Sequence, residues 1–150
     1  MERDELRDNT QIAELSELLV DFYNLFHAWE EEAVNDLRTN LSILEVHTIE
    51  TLGRRPGLKM REIAEVMEIS TPSVTAVIDK LEKKGFARRK TTPADRRVFL
   101  IELTQKGMDL FERHSQQHKK MAETVLSCIP GESVHRFLEL LTAIVGKSYA

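Results

Sequence analysis

The chain has 150 residues, 41% of them apolar and 31% charged, with a net charge of -4, which fits one domain or one domain with helical extensions. It is too short for a β/α barrel enzyme, has no run approaching the ~18–20 apolar residues of a membrane span, and opens on the charged Met1-Glu2-Arg3-Asp4-Glu5 rather than on a signal or transit peptide. A single cysteine, Cys128, rules out an intramolecular disulfide and a thiolate zinc cage, so the expectation is a folded, soluble, cytoplasmic protein.

In chain order, Ile12, Leu15, Leu18, Leu19, Phe22, Leu25, Phe26, Trp29 and Val34 recur at steps of three and four, which predicts a long amphipathic helix over 8–37. A second helical run covers 41–52 and ends at Thr51-Leu52-Gly53-Arg54-Arg55-Pro56-Gly57. A short helix over 59–67 follows, and Glu68-Ile69-Ser70 reads as a tight turn. Thr71 then reads as a helix cap with Pro72 at the first helical position. Val74, Val77, Ile78 and Leu81 form the buried stripe of that helix, and Gly85 stops it. Two short helices joined this way are a helix-turn-helix candidate.

Residues 87–90 and 97–103 read as two strands, and Thr91-Thr92-Pro93-Ala94-Asp95 between them is turn material. A basic hairpin directly after a helix-turn-helix makes a winged helix. Thr104 caps a further long helix to about Cys128, Ile129-Pro130-Gly131 breaks it, and 132–146 forms the last helix. The fold class expected is mainly α with a small β-hairpin wing and long terminal helices. Phe137, Leu138, Leu140, Leu141, Ile144 and Val145 cover more of the last helix than one small domain has room to bury beside the apolar first helix. An intermolecular helical interface follows as the expectation.

Charge is segregated along the chain. Lys80, Lys83, Lys84, Arg88, Arg89, Lys90, Arg96 and Arg97 are opposed within 80–97 only by Glu82 and Asp95, so that segment nets +6 and the remainder -10. A basic stripe on an acidic protein meets a phosphate backbone without making the whole molecule adhesive. With Val74, Val77, Ile78 and Leu81 inward, Ser73, Thr75, Ala76 and Lys80 point outward as candidate contacts to phosphates, base edges and thymine methyl groups.

Ser73-Val74-Thr75 through Leu81-Glu82-Lys83-Lys84-Gly85-Phe86, then Asp95-Arg96-Arg97 and Leu103-Thr104-Gln105-Lys106-Gly107, resemble the MarR family of transcriptional regulators. The similarity covers roughly 41–121. It implies an obligate homodimer on double-stranded DNA, with dimerisation helices at about 5–37 and 105–148 and a winged-helix lobe at about 38–104. Each lobe would read half of a pseudo-palindromic operator, as in a repressor. It also places Arg97, with Arg96, at the wing position that reaches the minor groove, and Asp95 at the position that orients that arginine.

His114 and His118 stand four apart on one helix, so their imidazoles leave the same face and could share a metal. Glu45-Val46-His47-Thr48-Ile49-Glu50 and the His114/His118 pair fall where zinc-responsive uptake repressors of that family carry ligands, and Glu30 is nearest the position of their further carboxylate. The resemblance thus implies zinc on Glu30, His47, His114 and His118. Val46 stands where those repressors have a glutamate, and no cysteine lies upstream for their second site. Repressors of fatty-acid synthesis genes, which respond to acylated acyl carrier protein, show the same histidines, so that effector and a small aromatic ligand stay open beside zinc. An enzyme is the competing class. The chain lacks a Gly-rich phosphate loop, a nucleophile elbow and His-Glu-x-x-His, which leaves only a zinc hydrolase using Glu30, Glu31 or Glu32 as base. No catalytic residue is expected.

Overall fold

The computed structural model describes residues 9–95 and 97–148. Its elements are α1 (Asn9–Asp36), α2 (Ile43–Arg54), β1 (Leu58–Lys59), α3 (Met60–Met67), α4 (Thr71–Lys83), β2 (Ala87–Thr91), β3 (Phe99–Leu103), α5 (Gln105–Ser127), a 3-10 turn (Gly131–Ser133) and α6 (Val134–Ser148). The chain divides within α5 into two compact units, one through His114 and one from Ser115. Among the described residues no helix is long and apolar enough to cross a membrane.

The first unit is a winged helix. Its core joins Val34 and Leu37 from the end of α1, Val46, Ile49 and Leu52 from α2, and Ile63 and Ala64 from α3. Val74, Val77, Ile78 and Leu81 of α4 close on Phe86, Ala87, Ile101 and Leu110. Each large aliphatic side chain so buried contributes about 1.5–3 kcal/mol. The sheet is antiparallel in the order β1-β3-β2, with Ala87 opposite Leu103 and Arg89 opposite Ile101. Strand β1 escaped the sequence reading because two residues are too few for an alternating pattern; Leu58 and Lys59 are strand only because β3 lies opposite them.

Two local expectations are corrected. Ser70, not Thr71, caps α4: its backbone is extended and its hydroxyl accepts the Ser73 N–H at 3.3 Å. Pro72 therefore sits at the second helical position, where no intrahelical bond needs its missing N–H. Gly53 lies inside α2 rather than beyond its end, and there the Phe111 ring leaves no room for a Cβ. Thr104 does cap α5. Its hydroxyl accepts the Gly107 N–H at 3.2 Å and donates to the Gly85 carbonyl at 2.6 Å, while its own N–H reaches the Phe86 carbonyl at 3.0 Å.

Only the last part of α1 enters this core, through Glu30, Ala33 and Val34. Leu15, Leu18, Leu19, Phe22, Leu25 and Phe26 upstream are exposed. The second unit comprises the rest of α5, the 3-10 turn and α6. On α6, Leu138, Leu140, Leu141, Ile144 and Val145 are 44–63% exposed, far more apolar surface than a solvated helix carries.

Candidate nucleic-acid interface and histidine cluster

The buried stripe of α4 fixes what the helix shows to solvent. Ser73, Ala76 and Lys80 are exposed, as the periodicity predicts, whereas Thr75 is half-buried. The hydroxyls face the helix itself: Ser73 Oγ lies 2.7 Å from Ser70 Oγ, and Thr75 Oγ1 donates to the Thr71 carbonyl at 3.0 Å.

At the wing tip, Thr92 Oγ1 accepts the Asp95 N–H at 3.1 Å and donates to the Asp95 carbonyl at 3.0 Å. Asp95 Oδ1 in turn accepts the backbone N–H of Arg97 at 2.9 Å. The aspartate thus holds the backbone of Arg97, and the Arg97 side chain is exposed. Arg96 lies outside the described residues.

Folding redistributes the positive charge that the sequence concentrates in 80–97. Lys84 Nζ donates to both oxygens of buried Glu45, at 2.8 and 3.0 Å, and to the Asn40 carbonyl at 2.6 Å. Burial works against the charged form of Glu45, but the Lys84 ammonium and the Ser42 N–H hold its carboxyl below the usual range. Arg88 and Lys90 each lie 3.4 Å from Glu102. Arg89 is held by Asp79 and Glu82 of α4. The +6 tally is therefore an overcount of the charge available to a ligand, because Asp79, Glu102 and Glu45 lie outside the segment in sequence and against it in space. Lys80, Lys83 and Arg97 have no carboxylate partner among the described residues.

Three of the four candidate metal ligands lie in or beside the first unit's core. Glu30 Oε1 is 3.0 Å from Nε2 of His47 and 3.0 Å from Nε2 of His114. Glu30 and His114 are buried, whereas the His47 side chain is 42% exposed. His118 follows four residues after His114 on uninterrupted α5, so it leaves that helix on the same side one turn on. On its other ring nitrogen, His114 Nδ1 lies 3.6 Å from Glu50 Oε2, and Glu50 also accepts from Arg54 at 2.7 Å. The remaining histidines, His27 and His135, are exposed and stand beside Glu31 and Glu139 on their own helices.

Residues 41–99 match the MarR family. The HTH-type transcriptional regulator MhqR of Bacillus subtilis is 29% identical over 104 residues, 69% of this chain and 72% of its own. The transcriptional repressor MdtR of the same organism is 27% identical over 121 residues, 80% and 78% of the two chains. The crystal structure of Streptococcus pneumoniae FabT in complex with DNA superposes with a TM-score of 0.80 at 26% identity, covering 92% of this chain and 97% of FabT. Over residues 41–99 and in its fold, the chain is similar to MarR-family regulators. The YusO protein of Bacillus subtilis, at 22% identity and a TM-score of 0.75 over 94% and 99% of the two chains, shares the fold.

The chain shares the winged-helix fold of these regulators, and its structure adds residues to the site that sequence reasoning missed. Glu50 stands one helical turn after His47, a spacing visible in the sequence, yet only the approach of α5 gives it a partner in His114. Asp79 and Glu82 read as ordinary solvent-facing acids of an amphipathic helix until β2 sets Arg89 between them.

Proposed function

We propose that this protein is a non-enzymatic repressor of the MarR family that binds a pseudo-palindromic operator as a homodimer. Ser73, Thr75, Ala76 and Lys80 of α4 face the major groove, and Arg97, aimed by Asp95 and flanked by Arg96, reaches the minor groove. The observation that carries the reading is the exposed Arg97 on a wing tip whose turn is fixed by three hydrogen bonds, beside a helix that offers Ala76 and Lys80 to solvent. The DNA-bound FabT structure supports the docking mode. A second copy of the chain is the proposed cover for the apolar faces of α1 and α6, and half-sites would then lie about one helical turn, 34–36 Å, apart. Arg97→Ala should weaken binding to a duplex selected from a random pool by about 1–3 kcal/mol and lower the slope of log affinity against log salt by about 0.9. Equal wild-type binding to the selected and a random duplex at every salt concentration would remove the reading.

Zinc is the proposed effector. Imidazole nitrogens and one carboxylate oxygen form a donor set that suits it. Glu30 brings its oxygen between His47 and His114, His118 follows on the same side of α5, and Glu50 stands 3.6 Å from the far nitrogen of His114. Bound zinc supplies a positive charge that ties α1, α2 and α5 together at this point. Because α2 leads into the DNA-reading lobe, a metal that favours one lobe placement shifts DNA affinity by its differential affinity for that state. The direct bonds from Glu30 to both imidazoles favour a second reading, a metal-free clasp under another effector such as an acylated carrier protein or an aromatic ligand. Zinc titration into chelator-treated protein separates the two. Stoichiometric binding lost in His114→Ala and His118→Ala supports the metal, and binding no tighter than in the double variant leaves the clasp.

A further inference from the structure

We infer that Arg89 is a positioning residue that locks the wing to the recognition helix rather than a ligand of DNA phosphate. Strand β2 is an edge strand, since β3 is its neighbour on one side only. Within β2, Ala87 and Arg89 share a face by the two-residue period of a strand, so Arg89 leans inward while Arg88 and Lys90 face solvent. Glu82 accepts the backbone N–H of Arg89 at 2.9 Å and also its guanidinium, and Asp79 accepts a second guanidinium N–H at 2.6 Å.

This arrangement satisfies three needs together. The edge strand's outward N–H gains an acceptor. A half-buried guanidinium, 27% exposed, gains two carboxylates. The two acids on the flank of α4 are balanced by a cation that does not belong to the helix. Arg89 is thus already shared by two carboxylates, and a planar fork engaged on two sides has little left to offer a phosphate. What it supplies is geometry: the root of the wing is pinned beside the first acid that follows Ala76 on the helix, and the distance from Arg97 to the helix face is fixed from there.

The inference rests on the DNA-binding reading above, and the test separates the two. The wild type, Arg97→Ala, Arg89→Ala and the paired Asp79→Asn/Glu82→Gln variant are titrated with a duplex selected by the wild type and with a random duplex, across a salt series, with thermal melts alongside. If the wild type fails to discriminate the duplexes, the DNA reading itself falls. Given discrimination, both clamp variants should lose at least tenfold in the ratio of selected to random binding, with no fall in salt slope. The paired variant is the decisive one. It removes two negative charges and leaves only neutral amide acceptors on Arg89, so an arginine that contacts phosphate would bind the selected duplex more tightly, whereas a loosened wing binds it with less discrimination. Unchanged or improved discrimination in the paired variant, or a slope for Arg89→Ala lowered by about 0.9 as for Arg97→Ala, overturns the inference. Because the paired variant keeps side-chain volume, a folding defect confined to Arg89→Ala leaves the outcome readable.

Discussion

Replacing Glu30 by alanine tests how much the histidine clasp contributes to the folded state. The carboxylate is buried and accepts from two imidazoles at 3.0 Å each. His47 is 42% exposed, so water replaces its lost partner and that bond contributes little. His114 is 1% exposed, and a buried donor stripped of a partner costs about 1–3 kcal/mol. The methylene removed with the carboxylate adds about 1 kcal/mol. Glu30→Ala should therefore destabilise the metal-free protein by about 2–4 kcal/mol. At about 2–4 °C per kcal/mol for a chain of this size, Tm should fall by roughly 5–15 °C. Glu30→Gln keeps one acceptor oxygen and should lose about half as much. The assay is thermal unfolding in chelator at matched protein concentration, because the Tm of the proposed dimer would depend on concentration. Repeating it with zinc at about 100 times its Kd should raise the wild type by a further ~2.7 kcal/mol and leave Glu30→Ala behind. A metal-free Glu30→Ala protein within about 1 kcal/mol of wild type would refute the argument that this carboxylate holds α1, α2 and α5 together.

Acid should act through Glu45. Its folded carboxyl titrates below the usual range because Lys84 and Ser42 favour the charged form; the stability it adds is present above about pH 4.3, the ordinary carboxylate value, and is lost as pH falls through the lower folded value. Lys84→Met should flatten that part of the stability–pH curve in urea melts, and an unchanged curve would assign the acid response elsewhere. Gly107→Ala should cost about 1–3 kcal/mol in the same melts, because the new Cβ would overlap the Phe86 carbonyl, which is fixed by the Thr104 N–H. Leu141→Asp or Ile144→Asp should abolish dimers in sedimentation velocity and DNA binding together, since a carboxylate in an apolar interface costs several kcal/mol. A variant that stays dimeric with wild-type affinity would place the interface elsewhere.

Much of this protein is legible from local pattern alone. Steps of three and four locate the helices, and the stripe of Val74, Val77, Ile78 and Leu81 fixes which side of α4 meets solvent. The motif from Asp95 to Gly107 points to the family, because hydrophobic period, turn chemistry and capping are properties of residues close in sequence. Tertiary structure decided the rest. Between Ser70 and Thr71, two adjacent hydroxyls capable of capping, only backbone conformation chose. Strand β1 exists because β3 lies opposite it, and the Phe111 ring occupies the space that a Cβ at Gly53 would need. The charge tally failed for the same reason. Lys84, Arg88, Arg89 and Lys90 read as free cations, yet Glu45, Glu102 and Asp79 reach them only after folding. The candidate site shows both sides of this division. The four-residue step from His114 to His118 is readable from the sequence, whereas the meeting of Glu30 with His47 and His114 joins residues 17 and 84 positions apart. Coulombic pairing depends on distance in space, and chain separation carries no information about it once the helices have packed.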